Sequence, residues 1–112
     1  MVHCNIEDWV KFLSLQLSKE NPILERKSLN KLIEPEGDYA AGWGILEQPW
    51  VEGTVLVHNG SNGVWYTMVV VPPKLDRVFI VVTNSCDFSS TPTLCNEILK
   101  KMIRMDLNIS KE

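Results

Sequence analysis

The sequence is short of basic runs and of long apolar runs. Its 11 Lys and Arg residues are outnumbered by 14 Asp and Glu, giving a formal charge of −3. No cluster of basic residues is longer than a pair such as Lys100–Lys101. Binding to nucleic acid by neutralising phosphates is therefore not expected. No apolar stretch reaches the length that spans a bilayer. The opening "MVHCNIEDW" lacks a basic segment followed by an apolar one, so it is not a secretory signal. Taken literally, the chain stays in the cytoplasm. Cysteine is scarce too. Cys4, Cys86 and Cys95 are odd in number and widely spaced, which gives no disulfide framework and no zinc pattern. Free, partly buried thiols are the expectation, with a Cys86–Cys95 bridge as the alternative in an exported parent. No metal and no cofactor is implied.

What remains is an ordinary globular composition. Hydrophobic residues make up 45% and charged residues 22% of 112. That length supports one domain at most, with a modest core.

The stretch "NIEDWVKFLSLQLSK" reads as a helix. Asn5 can cap it, and Glu7 and Asp8 lie in the first turn, where the helix dipole favours acids. Ile6, Trp9, Val10, Leu13 and Leu17 recur at helical spacing. A second helix is expected over "ILERKSLNKLIE", ended by Pro35. Then the pattern changes. "YAAGWGILEQ", "TVLVH", "VWYTMVVV" and "VFIVVTN" read as strands, the last as one buried on both faces or nearly so. "PPKLDR" connects the last two. "TLCNEILKKMIRM" is a closing helix with Leu94, Ile98, Leu99, Met102 and Ile103 on its apolar side, and the tail "DLNISKE" is expected to fray. Sequential strands with short connections make an antiparallel sheet. The expected fold is α+β: an antiparallel sheet of three to four sequential strands flanked by N-terminal and C-terminal helices.

Several short patterns carry chemistry. Ser28–Lys31 is Ser-x-x-Lys, which on a helix sets a hydroxyl and an amine one turn apart, the pairing of an acyl-transfer nucleophile with its base. Its charged surroundings, "ERKSLNK", read instead as a solvated helix face. "HNGSNG" is the second. A strand that ends on His58 beside Gly60 leaves backbone open to a ligand, and the Ser61 N–H beyond it could donate to an oxyanion. The plain alternative is a five-residue hairpin loop, Asn59 to Gly63, whose Gly and Asn supply positive φ. Asn59-Gly60-Ser61 and Asn108-Ile109-Ser110 match the glycosylation acceptor pattern, which arises often by chance. Trp9, Trp43, Trp50 and Trp65 could line a sugar or aromatic pocket, or could pack the core.

The ordered set of these features resembles the C-terminal part of the serine β-lactamase and penicillin-binding-protein superfamily, on the side of class C β-lactamases and related esterases and peptidases. Gly42-Trp43-Gly44 is similar to the family's "GW" strand. His58-Asn59-Gly60 stands where the family has Lys-Thr-Gly or His-x-Gly. Pro72-Pro73 occupies the Pro-containing hairpin, Val82-Thr83-Asn84 ends the last strand, and a helix follows. "IEDWVKFL" resembles the helix that precedes the "GW" strand, so the likeness runs from about residue 3 to about residue 103.

The resemblance implies an acyl-enzyme mechanism for the full-length enzyme, acting on a small-molecule acyl substrate without a cofactor. It implies that His58 takes the place of the third-motif Lys, that Gly60 keeps the substrate strand open, and that the Ser61 N–H forms half of the oxyanion hole. Asn59 stands where the family often has Thr or Ser. Histidine is only partly protonated near neutral pH, which suits neutral esters and amides as well as anionic β-lactams. The family's Ser-x-x-Lys lies far upstream of the "GW" strand, whereas Ser28–Lys31 falls in the helix just before that strand, where the family has no catalytic residue, and no Tyr-x-Asn occurs here. Residues 1–112 thus read as a single partial domain, inactive alone, with an open sheet edge through which it could self-associate. Met1 inside a recognisable helix preamble points to a truncated frame or an expressed fragment. An exported or periplasmic home follows if the parent behaves as its family does. The alternative is a non-catalytic binding or structural module that associates with a partner chain or with itself.

Overall fold

The computed structural model describes residues 3–17 and 21–109. Three helices and five strands follow in the order α1 (Ile6–Ser14), α2 (Arg26–Leu32), β1 (Tyr39–Ala40), β2 (Trp43–Gln48), β3 (Gly53–Ser61), β4 (Tyr66–Val71), β5 (Phe79–Thr83) and α3 (Thr91–Leu107). The strands form one antiparallel sheet in sequence order, so β1 and β5 are its two edges. The chain divides into two compact units, Met1–Leu56 with Val71–Val78, and Val57–Val70 with Phe79–Glu112.

In the first unit, α1 begins where the sequence says it should. Asn5 Oδ1 accepts the Asp8 N–H at 2.8 Å, with Glu7 and Asp8 in the first turn. The helix is shorter than its apolar pattern predicts. It closes at Ser14, and Ser18 and Lys19 lie outside the described residues. Of its five periodic apolar positions only Leu13 is buried, and Ile6 and Val10 are exposed. α2 likewise shrinks to seven residues and ends at Leu32, ahead of Pro35. The run at 39–48 is two strands rather than one. Ala41 and Gly42 form a two-residue turn with Ala40 paired to Trp43, and Gly42 takes φ +83°, a conformation in which a Cβ would be strained. This division raises the strand number to five. Leu13, Leu29, Trp43, Val55, Leu56 and Val71 are among the buried residues of this unit.

In the second unit, β4 and β5 pair antiparallel from Tyr66↔Thr83 to Val70↔Phe79. The "PPKLDR" connection between these strands belongs to the first unit and contains a short 3-10 helix, Pro73–Leu75. β5 is less covered than its apolar run predicts. Only Phe79 is buried and Val82 is exposed, as befits an edge strand with one flank unpaired.

α3 packs against β5, and its buried residues are Thr91, Cys95, Leu99 and Ile103. The predicted apolar side was therefore partly the wrong stripe: Leu99 and Ile103 are buried, whereas Leu94 and Ile98 face water. The helix also extends two residues further at each end than its sequence pattern suggests. At the start, Asp87 supplies the anchor. Its backbone carbonyl accepts the Thr91 N–H at 2.7 Å, and its own N–H donates to Thr91 Oγ1 at 2.9 Å. At the end, Asn108 takes φ 54° and caps the last turn, so residues expected to fray at 106 and 107 are helical.

All three thiols are unbridged. Burial pushes the Cys95 thiol above its ordinary pKa. Leu99→Ala removes a fully buried side chain and is expected to cost about 3 kcal/mol in chemical denaturation. The hydroxyl and the backbone N–H of Ser89 both donate to the Asp87 carboxylate and hold its pKa below the ordinary value. A depressed carboxylate contributes stability above the unfolded-state pKa, and loses it as pH falls through the folded one. The N-terminus of α3 is thus expected to loosen only below the usual carboxylate range, as amide chemical shifts at Ser89 to Thr91 would report.

Candidate functional site

β3 does not end on His58. It continues through Asn59, Gly60 and Ser61, and the connection to β4 is Asn62 to Trp65 rather than Asn59 to Gly63. Two Asn-Gly pairs compete for the turn, and the second wins. Asn62 Oδ1 accepts the N–H groups of Val64 at 3.1 Å and Trp65 at 2.9 Å, while Gly63 adopts φ +91°. An Asn side chain that satisfies two backbone donors replaces the hydrogen bonds a tighter hairpin would make. β4 accordingly starts at Tyr66, two residues later than its apolar run suggests.

Extension of the strand sorts the four candidate residues by face. Successive side chains in a strand point to opposite sides. His58 and Gly60 therefore share one face, and Asn59 and Ser61 share the other. The Asn59 amide donates to the Tyr66 hydroxyl at 3.0 Å, and Tyr66 itself is buried. The Ser61 hydroxyl donates to the Trp65 carbonyl at 2.6 Å and accepts the Gly63 N–H at 3.0 Å. Its oxygen also lies 3.0 Å from Cys86 Sγ. Both side chains are thus engaged in holding the hairpin.

The other face carries Gly60, which puts no side chain over the backbone. His58 is exposed. A Cβ added at Gly60 would meet only Thr67 Cγ2, at 3.8 Å, and Gly60 has no positive φ. Thr67 Oγ1 is buried without a hydrogen-bond partner among the described residues. A buried hydroxyl left unpaired costs free energy, so Thr67 marks a local weakness in the sheet and not a contact point for a ligand lying on β3. Tyr66, Thr67 and Cys86 are the neighbours that sequence reasoning passed over. The pairing of β3 with β4 brings Tyr66 and Thr67 to the candidate residues, and the misplaced turn hid that pairing, while Cys86 comes from the loop after β5.

No family model, curated protein or solved structure matches the chain.

The remaining sequence candidates fall elsewhere. Ser28 and Lys31 are both exposed on α2, in the other compact unit from His58. Trp43 is buried, Trp9 and Trp50 are half-buried, and Trp65 is exposed, so the four do not share one environment. Among the described residues no three His, Cys, Asp or Glu side chains are grouped to hold a metal ion. No described helix is long and apolar enough to cross a membrane.

Two substitutions test the Gly60 face. Gly60→Ala is expected to fold normally and to gain about 0.5 kcal/mol, because it removes unfolded-state freedom at a strand position with room for a methyl group. Thr67→Val replaces an unpartnered hydroxyl with a methyl group of the same shape and is expected to hold stability level or raise it by about 1 kcal/mol. Urea titrations of both variants check the two signs.

Proposed function

We propose that the chain forms the C-terminal part of a serine hydrolase related to class C β-lactamases, and that alone it does not catalyse. The observation that carries this reading is order. Gly42-Trp43-Gly44 opens β2, His58-Asn59-Gly60 lies within β3, Pro72-Pro73 separates β4 from β5, Val82-Thr83-Asn84 ends β5, and α3 comes next. Four motifs and a closing helix, in the family's order, support the kinship more than any one of them does.

On this reading β3 is the strand along which an acyl substrate lies. His58 and Gly60 lie on the face turned to it, and the missing side chain at Gly60 leaves room there for an acyl group. The Ser61 N–H is the candidate oxyanion donor. It is a backbone group, so the engagement of the Ser61 hydroxyl with the turn does not remove it. That hydroxyl instead fixes the backbone from which the N–H projects, which is what preorganised stabilisation of a developing oxyanion needs. Attack on the carbonyl, in contrast, has no agent here. Ser28 and Lys31 stand in water on a seven-residue helix, where acyl chemistry needs a site that excludes it. A Ser-x-x-Lys and a Tyr-x-Asn must come from other sequence, whose strands would add at the open β5 edge.

A second reading has its own observation. Phe12, Ile23, Phe88 and Met105 are all largely exposed. Apolar surface of this kind on a small chain fits a non-catalytic module that works by association with a partner chain or with itself.

Hydrolysis of nitrocefin and of p-nitrophenyl acetate by the purified chain is expected at background, unchanged by Ser28→Ala. A rate above background that Ser28→Ala abolishes would overturn both readings. The DNA upstream of the start codon separates them: a frame encoding Ser-x-x-Lys and Tyr-x-Asn supports the hydrolase, and its absence supports the module.

A further inference from the structure

α3 carries a second apolar stripe that its own unit does not use. Thr91, Cys95, Leu99 and Ile103 recur every fourth residue and are buried. Leu94, Ile98 and Met105 are 60%, 49% and 73% exposed. At about 100° per residue they lie together, roughly a third of a turn from the buried row. Lys101 shares their stripe and Glu97 flanks it. The positions 94, 98, 101 and 105 are spaced by four, three and four, the rhythm with which one helix packs along another. A hollow of about 430 Å³, lined by Glu97, Lys101, Arg104, Met105 and Ile109, adjoins the stripe.

We propose that this stripe docks on the same stripe of a second copy of the chain, with the two α3 helices antiparallel about a twofold axis. A twofold contact requires a surface that complements itself, and this one does. An axis midway between Leu99 and Lys100 sets Leu94 against Met105 of the second copy, at both ends of the seam. Ile98 then opposes the aliphatic stem of Lys101, which can cover it while the ammonium stays in water. Along the helix axis Lys101 stands about 1.5 Å from the level of Glu97 of the second copy, and about 4.5 Å from that of the other Lys101. Glu97 already pairs with Lys100 of its own helix at 3.4 Å; the arrangement adds two equivalent opposite-charge pairs across the seam and keeps the two Lys101 charges further apart.

The hollow beside Met105 gives Leu94 of the second copy a concave place to sit. A lone helix seam buries less than the roughly 1,200 Å² below which contacts are transient, so the dimer is in exchange with monomer. The inference goes beyond both readings above, because it uses α3 and leaves the β5 edge free.

Sedimentation velocity of the whole chain over a rising concentration series tests this. The mass is expected to climb from monomer to dimer. Ile98→Lys, at an exposed position, sets a like charge opposite Lys101 of the second copy and is expected to hold the chain monomeric throughout with an unchanged far-ultraviolet circular dichroism spectrum. Lys101→Glu is expected to weaken association about tenfold, and adding Glu97→Lys to it is expected to restore the original affinity. Should Ile98→Lys fail to fold, the charge swap alone decides. Val82→Lys, on the β5 edge, is expected to leave the dimer intact. A monomer at every concentration, a dimer that survives Ile98→Lys, or a swap that does not restore association would overturn the proposal. A dimer lost with Val82→Lys but kept with Ile98→Lys would also overturn it, while supporting association through the sheet edge.

Discussion

Packing of α3 on β5 is the contact on which the second unit depends. β5 is an edge strand with one paired flank, so its other support must come from a face. α3 supplies it with one row of side chains every fourth residue, led by the fully buried Leu99. That single row sets the helix's rotation, and the rotation in turn decides what the helix shows to water. Because the buried row is narrow, a second set of apolar residues is left outside. The Asp87 loop reinforces the arrangement: one backbone-to-backbone bond and one backbone-to-side-chain bond with Thr91 fix the helix start after β5 ends.

The β3–β4 hairpin shows how a side chain redraws a strand boundary. Asn62 takes two backbone N–H groups on its amide oxygen, and Ser61 joins both ends of the turn through one hydroxyl. With the turn satisfied by these two residues, Asn59 and Gly60 are freed for the strand. The cost of Gly60 in a strand interior is conformational entropy, and the bare backbone it leaves is the feature any substrate-strand reading relies on. Thr67, across from that bareness, keeps a hydroxyl without a partner in the described structure. Gly60 is thus the position on which structure and candidate function both draw.

Much of this was legible in the residues. The Asn5 cap, the antiparallel order of the strands, the helices at both ends and the Pro-bearing connection all follow from local chemistry that tertiary contacts do not override. The misses share a cause as well. Asn59 to Gly63 has the composition of a loop throughout, and composition cannot choose between two Asn-Gly turns; side-chain hydrogen bonds choose. In α3 both stripes are apolar, so periodicity finds a helix but not its buried side. In α1 the pattern finds an amphipathic face, yet burial selects Leu13 alone. Ala41-Gly42 looks like continuous strand because Ala is neutral to the turn and only Gly42's positive φ breaks the run.

The candidate site is weaker where side chains are considered and stronger where backbone is. A hydroxyl that bonds within its own hairpin has no role in recognising a substrate carboxylate, and an amide donated to a buried tyrosine is similarly committed. Backbone N–H groups obey a different rule. They lie in the plane of the sheet, not on either face, so their availability is set by the strand ladder and not by the side chains. A carbonyl oxygen stabilised near Ser61 would thus have to approach along the sheet plane at the hairpin end, while the rest of the acyl group lies over His58 and Gly60. That requirement is stringent. It confines any substrate to one face of β3, and it makes the openness at Gly60, more than the identity of His58, the feature without which no acyl group could lie there.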